Sequence, residues 1–366
     1  MKFKVEKEKM SGALGQVLAV INAKNPLQLL QNVYIEAKEG KLRFRATDMD
    51  MTLCTAVDAE VEEEGVTTLP AKRLSGVFRE MAGDTATVAV DGENKAVIKA
   101  GAATFRLNGL ASEEYPALPE LGDEVVELTV EQASLREMLR RVSYAAMQDA
   151  SRPLLSSVLL AYEQGTLAAV ATDSRRLALV EQPLDNGPAS PASLVVPLKA
   201  VAELIRTLGD EGTVAIKASA RQADFSYGEI TLVTKLMEGK YPNFRQVVPN
   251  RTNAVRVTVG REDFLAALRR TSQLVIDRVS GVNLNLSNNR LEVVAQEAEI
   301  GEGRDVIDAT YEGEDLSISF NPDFLMDALR VLTEDQIYLE LVDEMSPGVM
   351  GCASSFKYVI MPIRLQ

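Results

Sequence analysis

The chain has 366 residues, no histidine and a formal net charge of −14 at pH 7. The absence of histidine excludes Ser-His-Asp triads, imidazole general bases and His-Glu-x-x-His zinc sites. Hydrophobic residues make up 46% of the chain and charged residues 25%, as in ordinary globular proteins, and no apolar run is long enough to predict a membrane helix.

A short apolar strand followed by a small, polar, acidic step occurs three times. The three steps are Ala46-Thr47-Asp48, Ala171-Thr172-Asp173 and Ala295-Gln296-Glu297. Each step is either a polar turn within one strand or the meeting point of two strands. The regular spacing predicts one unit of about 120 residues repeated three times, each unit large enough to bury its own core.

Proline-rich joints separate the units. They lie at 115–119 and 241–249, and both begin with Tyr-Pro. We therefore expect domains over residues 1–123, 124–252 and 253–366.

Each unit contains two helix patterns and several short β-rich runs. Met10, Leu135 and Phe264 open the apolar stripe of the first helix in the three units. The helix candidates are 6–22, 70–81, 131–148, 199–208, 261–276 and 322–332. Strands are predicted at 87–90, 96–100, 214–218, 230–235 and 337–342. The fold class is therefore α+β, with two helices on an antiparallel sheet in each unit.

Charge and sulfur content add two expectations. The helix candidates carry a net charge of +4 and the rest of the chain −18, which together give −14. If the helices share one face, that face is mildly basic, although solvated helix faces explain the same pattern. Cys54 and Cys352 have no metal-ligand spacing and predict reduced thiols. The N-terminus resembles no signal peptide, so we expect a cytoplasmic protein without membrane attachment.

The motifs together resemble one family, the bacterial sliding clamps, which are the β subunits of DNA polymerase III. They are the threefold repeat, Ala-Thr-Asp-Ser-Arg-Arg-Leu-Ala at 171–178, Tyr-Pro-Asn-Phe at 241–244 and Met-Pro-Ile-Arg-Leu at 361–365. The resemblance implies a head-to-tail homodimer that forms a closed ring of six domains, with helices lining the hole. Such a ring slides on double-stranded DNA without sequence specificity, needs no cofactor and is not an enzyme.

The resemblance also implies the partners and the surface that faces DNA. Partners of the family are the catalytic subunit of the replicative polymerase, the clamp loader, translesion polymerases, ligase and mismatch-repair proteins, which carry short peptide motifs. The residues expected to face DNA are Lys24, Lys72, Arg73, Arg79, Arg136, Arg140, Gln148, Arg152, Lys199, Arg206, Arg269 and Arg270. The family often has tyrosines where this chain has Pro153 and Leu154.

A hydrophobic pocket for the partner peptides is expected between the second and third domains. By resemblance it comprises Leu155, Thr172, Arg175, Arg176, Leu177, Pro242, Val247, Val359, Met361, Pro362, Ile363 and Arg364. Two departures from the family lie here, namely Arg175 in place of the usual histidine and the additional Gln366. The apolar C-terminal residues predict a sheet strand, a binding surface or both.

The subunit interface implied by the resemblance joins the first domain to the third domain of a second copy. Phe105 and Leu107 would contact Leu274. Lys72, Arg73 and Arg106 would face Glu297, Glu299 and Glu302. An apolar centre with a charged rim is typical of a stable interface.

Two alternatives come from other functional classes. Asp48, Asp50 and Asp173 could form the carboxylate metal site of a nuclease. A repeat scaffold that binds proteins but not DNA is the second alternative.

Overall fold

The structure, a computed structural model, describes residues 1–122, 125–149, 151–185, 187–249, 253–275, 281–297 and 300–363. The helices are α1 (Lys7–Val17), α2 (Ala71–Glu80), α3 (Gln132–Ser143), α4 (Leu198–Thr207), α5 (Phe244–Val247), α6 (Arg261–Thr271) and α7 (Pro322–Val331).

The strands of the first third of the chain are β1 (Lys2–Glu6), β2 (Asn32–Lys38), β3 (Lys41–Thr47), β4 (Met51–Asp58), β5 (Glu60–Glu63), β6 (Gly65–Pro70), β7 (Thr85–Val90), β8 (Lys95–Ala100) and β9 (Ala103–Asn108). Those of the middle third are β10 (Val126–Glu131), β11 (Ser157–Glu163), β12 (Thr166–Thr172), β13 (Arg176–Pro183), β14 (Ala192–Pro197), β15 (Thr213–Ala218), β16 (Gln222–Tyr227) and β17 (Ile230–Lys235). The last third contains β18 (Val255–Gly260), β19 (Val282–Ser287), β20 (Arg290–Glu297), β21 (Gly301–Tyr311), β22 (Leu316–Phe320), β23 (Gln336–Leu341), β24 (Gly348–Gly351) and β25 (Phe356–Ile360).

The order of elements repeats three times. Each repeat, here called a module, runs strand, helix, a group of strands, helix and a second group of strands; the modules begin at β1, β10 and β18. The predicted α+β class and threefold repeat are therefore confirmed. The predicted domain boundaries at 123/124 and 252/253 involve residues outside the described ranges and stay a prediction.

The helices form where the apolar pattern predicts them, but three of them end earlier. Helices α1, α3 and α6 end five residues before the predicted ends at 22, 148 and 276. The predicted ends were wrong because buried apolar residues continue after the helix, as Val20 and Ile21 do in the turn behind α1. Periodicity alone cannot separate a last helical turn from a buried turn.

The chain divides into two compact units by its contacts, and the first comprises Met1–Ala133 and Ala202–Leu236. It contains two antiparallel sheets, with strand orders β5-β1-β7-β8-β9 and β10-β15-β16-β17-β4-β3-β2-β6. Helices α1 and α2 pack against each other, and Phe3, Phe44 and Phe78 are fully buried. Strand β4 of the first module pairs with β17 of the second module, so one sheet spans both modules.

The second unit comprises Ser134–Val201 and Met237–Gln366. Its strands follow the order β14-β11-β12-β13-β25-β24-β23-β18-β21-β20-β19-β22. Helices α6 and α7 pack together, and Phe264, Phe320 and Tyr358 are fully buried. Strand β13 pairs with β25, which again joins neighbouring modules through a sheet.

Two further predictions concern turns and sulfur. The Thr-Asp steps are meeting points of two strands, because β3 and β4 form one hairpin and β12 and β13 another. Cys54 and Cys352 are both free thiols.

No helix in the described part of the chain is long and apolar enough to cross a membrane.

Candidate functional site

The hairpin between β12 and β13 is held by its own side chains. Thr172 Oγ1 donates a hydrogen bond to the carbonyl of Arg176 at 2.6 Å. Asp173 Oδ1 accepts from the backbone N–H groups of Arg175 and Arg176 at 2.9 and 3.0 Å. Ser174 at the tip has φ +79°, in the left-handed region. These bonds fix the turn and leave the Arg175 side chain exposed.

The C-terminal segment lies beside this hairpin. After β25 the N–H of Met361 donates to the carbonyl of Arg175 at 2.9 Å, and the N–H of Ile363 donates to the carbonyl of Ser319 at 2.8 Å. Residues 356–360 are therefore a sheet strand, while the Met361 side chain is 46% exposed. Arg364 and Gln366 lie outside the described residues.

An apolar cluster forms where β13 and β25 pair. Leu177 lies opposite Val359 in the register, and both are buried together with Tyr241 and Phe244. Leu154 packs against this cluster. Further exposed or half-exposed apolar residues adjoin its members in the chain: Leu155, Pro242, Val247, Met361 and Pro362. Exposed apolar side chains above a buried apolar floor are typical of a peptide-binding groove. We call this arrangement the C-terminal groove.

Arg176 does not point its charge into open solvent. Its Nε donates to Asp173 at 3.0 Å, its Nη1 to Asp327 at 2.8 Å and its Nη2 to the carbonyl of Tyr144 at 2.8 Å. The guanidinium carbon also lies 4.4 Å from the centroid of the Phe324 ring. The side chain is 9% exposed. These partners already occupy its hydrogen-bond donors. The predicted contact of Arg176 with a peptide stays a prediction.

A polar cleft of about 520 Å³ adjoins the hairpin. Arg175 and Gln148 line it, together with Asn321, Phe324 and Asp327 of the α7 region. None of the last three residues is predicted from the sequence as a site residue. Only Asn321 has a recognisable signal in the sequence, because it directly precedes Pro322 as an N-cap residue. In the structure its Oδ1 accepts a hydrogen bond from the N–H of Asp323 at 2.9 Å.

The acidic residues of the nuclease alternative have structural partners. Asp48 Oδ1 accepts from the N–H groups of Asp50 and Met51, as Asp173 does in its own hairpin. The carboxylate of Asp50 lies 2.9 Å from Lys235 Nζ. Among the described residues, no cluster of three or more Cys, Asp or Glu side chains could hold a metal ion. These acids therefore cap turns and pair with a cation.

The basic residues predicted to face DNA fall into two groups. Four of them contact a nearby carboxylate: Arg79, Arg140, Arg206 and Arg270, which pair with Glu80, Glu137, Glu203 and Asp305. Four are exposed and have no carboxylate partner within the described ranges: Lys24, Lys72, Arg73 and Arg269. Arg152 is also exposed, and its charge helps to lower the pKa of the Asp149 carboxyl, after hydrogen bonds from Ser151. Arg136 is half-exposed and Lys199 exposed. The second group supplies the positive charge that remains available to a phosphate.

The residues predicted at a subunit interface lie on strands and a turn, except for Lys72 and Arg73, which lie on helix α2. Phe105 and Leu107 are half-buried on β9, the edge strand of its sheet. Leu274 is half-buried in a 3₁₀ turn after α6, and Glu302 is exposed at the start of β21. Glu297 is half-buried at the end of β20. Arg106 is exposed on β9, and Glu299 lies outside the described residues.

Comparison with protein families gives matches along nearly the whole chain. The N-terminal domain of the DNA polymerase III beta subunit matches residues 1–119, the central domain residues 129–243 and the C-terminal domain residues 245–364.

Individual relatives match over their full length. A beta sliding clamp from Pseudomonas putida is 32% identical over 370 residues and covers 100% of both chains. The crystal structure of the DNA polymerase III subunit beta from Pseudomonas aeruginosa has a TM-score of 0.95 at 30% identity, again with 100% of both chains covered. A DnaN sliding clamp from the same organism, solved bound to griselimycin, has a TM-score of 0.96 at 30% identity and the same coverage.

Proposed function

This chain belongs to the DNA polymerase III beta subunit family, the bacterial sliding clamps, and we propose that two copies of it close head to tail into a ring around duplex DNA. It is a DNA sliding clamp. We propose that it catalyses no reaction itself and acts by tethering other proteins to DNA.

The main support for the proposed ring is the pairing of strands between modules and the strand edges that stay unpaired. Strand β4 pairs with β17 and β13 pairs with β25, so a sheet of one module continues into the next. Strand β9 pairs only with β8, and residues 301–308 of β21 pair only with β20, within the described part of the chain. An unpaired edge is a template for another strand. Pairing of β9 with β21 of a second copy repeats the same type of junction and closes a twofold ring.

Side chains at these edges support the same pairing. Phe105 and Leu107 supply half-buried apolar surface on β9. Exposed cations are available on the first module at Lys72 and Arg73, and Glu302 is an exposed anion at the start of β21. Opposite charges around an apolar centre favour one orientation of the partner.

The proposed contact between the ring and DNA does not depend on the base sequence. Cations such as Lys24 and Arg269 have no carboxylate partner in the described ranges and are available to attract phosphates, whereas Arg140 and Arg270 are already paired with carboxylates. A small number of unpaired cations gives weak, sequence-independent attraction, which permits sliding. A net charge of −14 on the whole chain limits binding elsewhere on the surface.

The C-terminal groove is the proposed tether. Its floor of Leu177 and Val359 is buried, and Val247 and Met361 are 43% and 46% exposed. Large apolar side chains of a short peptide motif would cover this surface. Its proposed users are the replicative polymerase, the clamp loader, translesion polymerases, ligase and mismatch-repair proteins.

Deletion of residues 361–366 tests the tether. We expect a labelled peptide that carries Gln and bulky apolar residues to lose binding, measured by fluorescence anisotropy, while the mass of the protein in solution stays unchanged. A finer pair of variants is Met361→Ser and Met345→Ser, because both methionines are about half exposed in the same unit. Only Met361→Ser should weaken the peptide, by about tenfold. Unchanged peptide binding by the truncated protein contradicts the assignment.

A further inference from the structure

The first unit contains a junction built like the one that carries the C-terminal groove. Strands β2, β3 and β4 have seven, seven and eight residues, as do β11, β12 and β13, each 125 positions later in the chain. The last strand of each set pairs with a strand of the next module. Tyr115 precedes Pro116 as Tyr241 precedes Pro242.

The chemistry of the two junctions differs. Leu159, Val170 and Leu179 belong to the apolar cluster below the C-terminal groove. The positions that correspond to them in the first unit are Tyr34, Arg45 and Cys54. Arg45 lies directly opposite Tyr34 in one strand pair and opposite Cys54 in the other, so their side chains share one face of the sheet. The first unit therefore has a cation beside an aromatic ring at the positions where the second unit has apolar side chains.

Arg45 is held in place by aromatic rings. Its guanidinium carbon lies 4.3 Å from the ring centroid of Tyr34 and 5.5 Å from that of Tyr115. The Tyr115 hydroxyl donates to the backbone carbonyls of Asn32 and Arg45, at 3.2 and 3.3 Å, which anchors its ring. Stacking covers the faces of a guanidinium and leaves the N–H groups at its edge as donors.

Those donors have no anion in the structure. Arg45 Nε is buried without a hydrogen-bond partner, and no carboxylate lies within ion-pair distance of Arg45 in the described ranges. The nearby carboxylates are already engaged, Glu36 by Arg43 at 3.2 Å and Glu229 by Lys41 at 2.9 Å. A half-buried guanidinium without an anion is costly, and a carboxylate bound at its terminal Nη groups would supply the missing charge.

A cleft of about 440 Å³ opens at this position. Its walls include Tyr34, Arg45, Cys54 and Ala56, and also Glu36 and Glu229. The volume accommodates a few side chains rather than a large ligand. Arg43 also lines the cleft but is paired with Glu36, so Arg45 is the lining cation whose charge has no ion-pair partner in the described ranges. It attracts a single carboxylate, whereas a run of phosphates would add several negative charges beside the two glutamates. A planar carboxylate also matches the edge of a guanidinium in bidentate geometry.

We propose that this cleft is a second peptide-binding site, which takes a short segment through one Asp or Glu side chain held by Arg45. The residue next to that acid packs on Tyr34 and Ala56 at the mouth of the cleft. The site selects acidic motifs, in contrast to the apolar selection of the C-terminal groove. The full chain thus has two grooves of different specificity, one in each unit.

Selection from a phage-displayed library of random linear heptapeptides tests the proposal. The library is selected on the wild-type protein and on Arg45→Gln in parallel. We expect one class of peptides with a shared Asp or Glu that is enriched on wild type and absent from Arg45→Gln. Peptides of the C-terminal groove should be enriched equally on both proteins, which controls for the selection, and an unchanged urea-unfolding curve shows that the Arg45→Gln variant is folded.

A labelled peptide of the first class then defines the contact. Replacing its acid by the amide should weaken binding at least tenfold, and Arg45→Gln should have the same effect on the acidic peptide. Ala56→Phe fills the cleft without changing its charge and should also abolish binding. Arg221→Gln changes an exposed arginine elsewhere in the unit and should leave the affinity unchanged. The absence of any Arg45-dependent peptide, or Arg45-dependent binding of a 30-base-pair duplex instead, overturns the proposal.

Discussion

Arg141 shows how a single side chain can connect distant parts of the sequence. Its Nε lies 2.6 Å from Glu137 within α3, and its Nη1 lies 2.9 Å from Glu334 and 2.8 Å from Ser354 Oγ. The side chain of Arg141 is 10% exposed and that of Glu334 is 21% exposed. Because the charges are largely removed from water, each depends on the other for compensation.

The same network changes the acidity of Glu334. Burial opposes ionisation, but hydrogen bonds from its own backbone N–H and from Arg141, with the positive charge of Arg141, outweigh it and lower the pKa of Glu334 to about 2. A carboxylate with a lowered pKa stabilises the fold above its unfolded pKa, which is 4.5 for glutamate. That stability is lost as the pH falls towards about 2.

Glu334→Gln measures this contribution. Above about pH 4.5 we expect the variant to be less stable than wild type by about 1–3 kcal/mol, since a charge-assisted hydrogen bond is replaced by a neutral one. The difference should shrink between about pH 4.5 and pH 2, as followed by urea unfolding. Glu344→Gln, at an exposed position of the same unit, is the control. A difference that does not depend on pH contradicts the assignment.

Residue types alone identified only part of the candidate site. The Thr-Asp steps were recognised because they repeat, and Thr172 and Asp173 do cap their hairpin. The setting of Arg176 could not be derived, because its partner Asp327 lies 151 positions away in the chain. Local spacing contains no information on such a pair.

At the scale of elements, strands are better defined by their neighbours than by their own sequence. Strand β9 alternates between half-buried and exposed residues, a pattern that fits an ordinary two-layer sheet as well as an interface. The strand order places it at an edge and gives Phe105 and Leu107 a possible partner outside the chain. Helix ends were misjudged for a related reason, since buried turns extend the apolar pattern.

Leu107→Asp tests the edge pairing. A carboxylate on the apolar face of β9 would be buried without a partner in a dimer, so we expect the dimer to weaken by at least 100-fold in dissociation constant. Light scattering across a dilution series measures this, starting from a mass of twice 39.8 kDa for the wild type.

Thr85→Asp is the matched control for that experiment. It places the same charge at an exposed position of β7, an inner strand of the same sheet. This variant should remain a dimer. A monomeric wild-type protein would contradict the proposed ring. A Leu107→Asp variant that remains a dimer would show that β9 does not form the interface.

At the scale of the whole molecule, charge distribution matters more than net charge. A chain with a formal net charge of −14 is not expected to bind DNA if only the total charge is considered. The ion pairs show which cations are compensated and which are not. Arg269 and Arg270 are neighbours on α6, yet only Arg270 has a carboxylate partner within the described ranges, Asp305 at 2.5 Å.

This pair gives a test of the DNA-facing surface. Arg269→Gln should reduce the slope of log affinity against log salt by about 0.9, the value for one phosphate contact on duplex DNA. Arg270→Gln should change the slope much less, because Asp305 already neutralises its charge. Anisotropy of a labelled 30-base-pair duplex over a salt series measures both. Equal slopes for both variants and wild type would exclude α6 from the DNA contact.

Local periodicity and a spacing that recurs along the chain are enough to predict the repeat, the α+β class and the approximate positions of six helices. The folded chain shows which strands pair, which strand edges stay unpaired and which cations have no carboxylate partner in the described ranges. Those properties depend on residues that are far apart in the chain, such as Arg176 and Asp327 or Arg141 and Glu334. Only folding brings such pairs within a few ångströms, where electrostatic and hydrogen-bond energies become decisive.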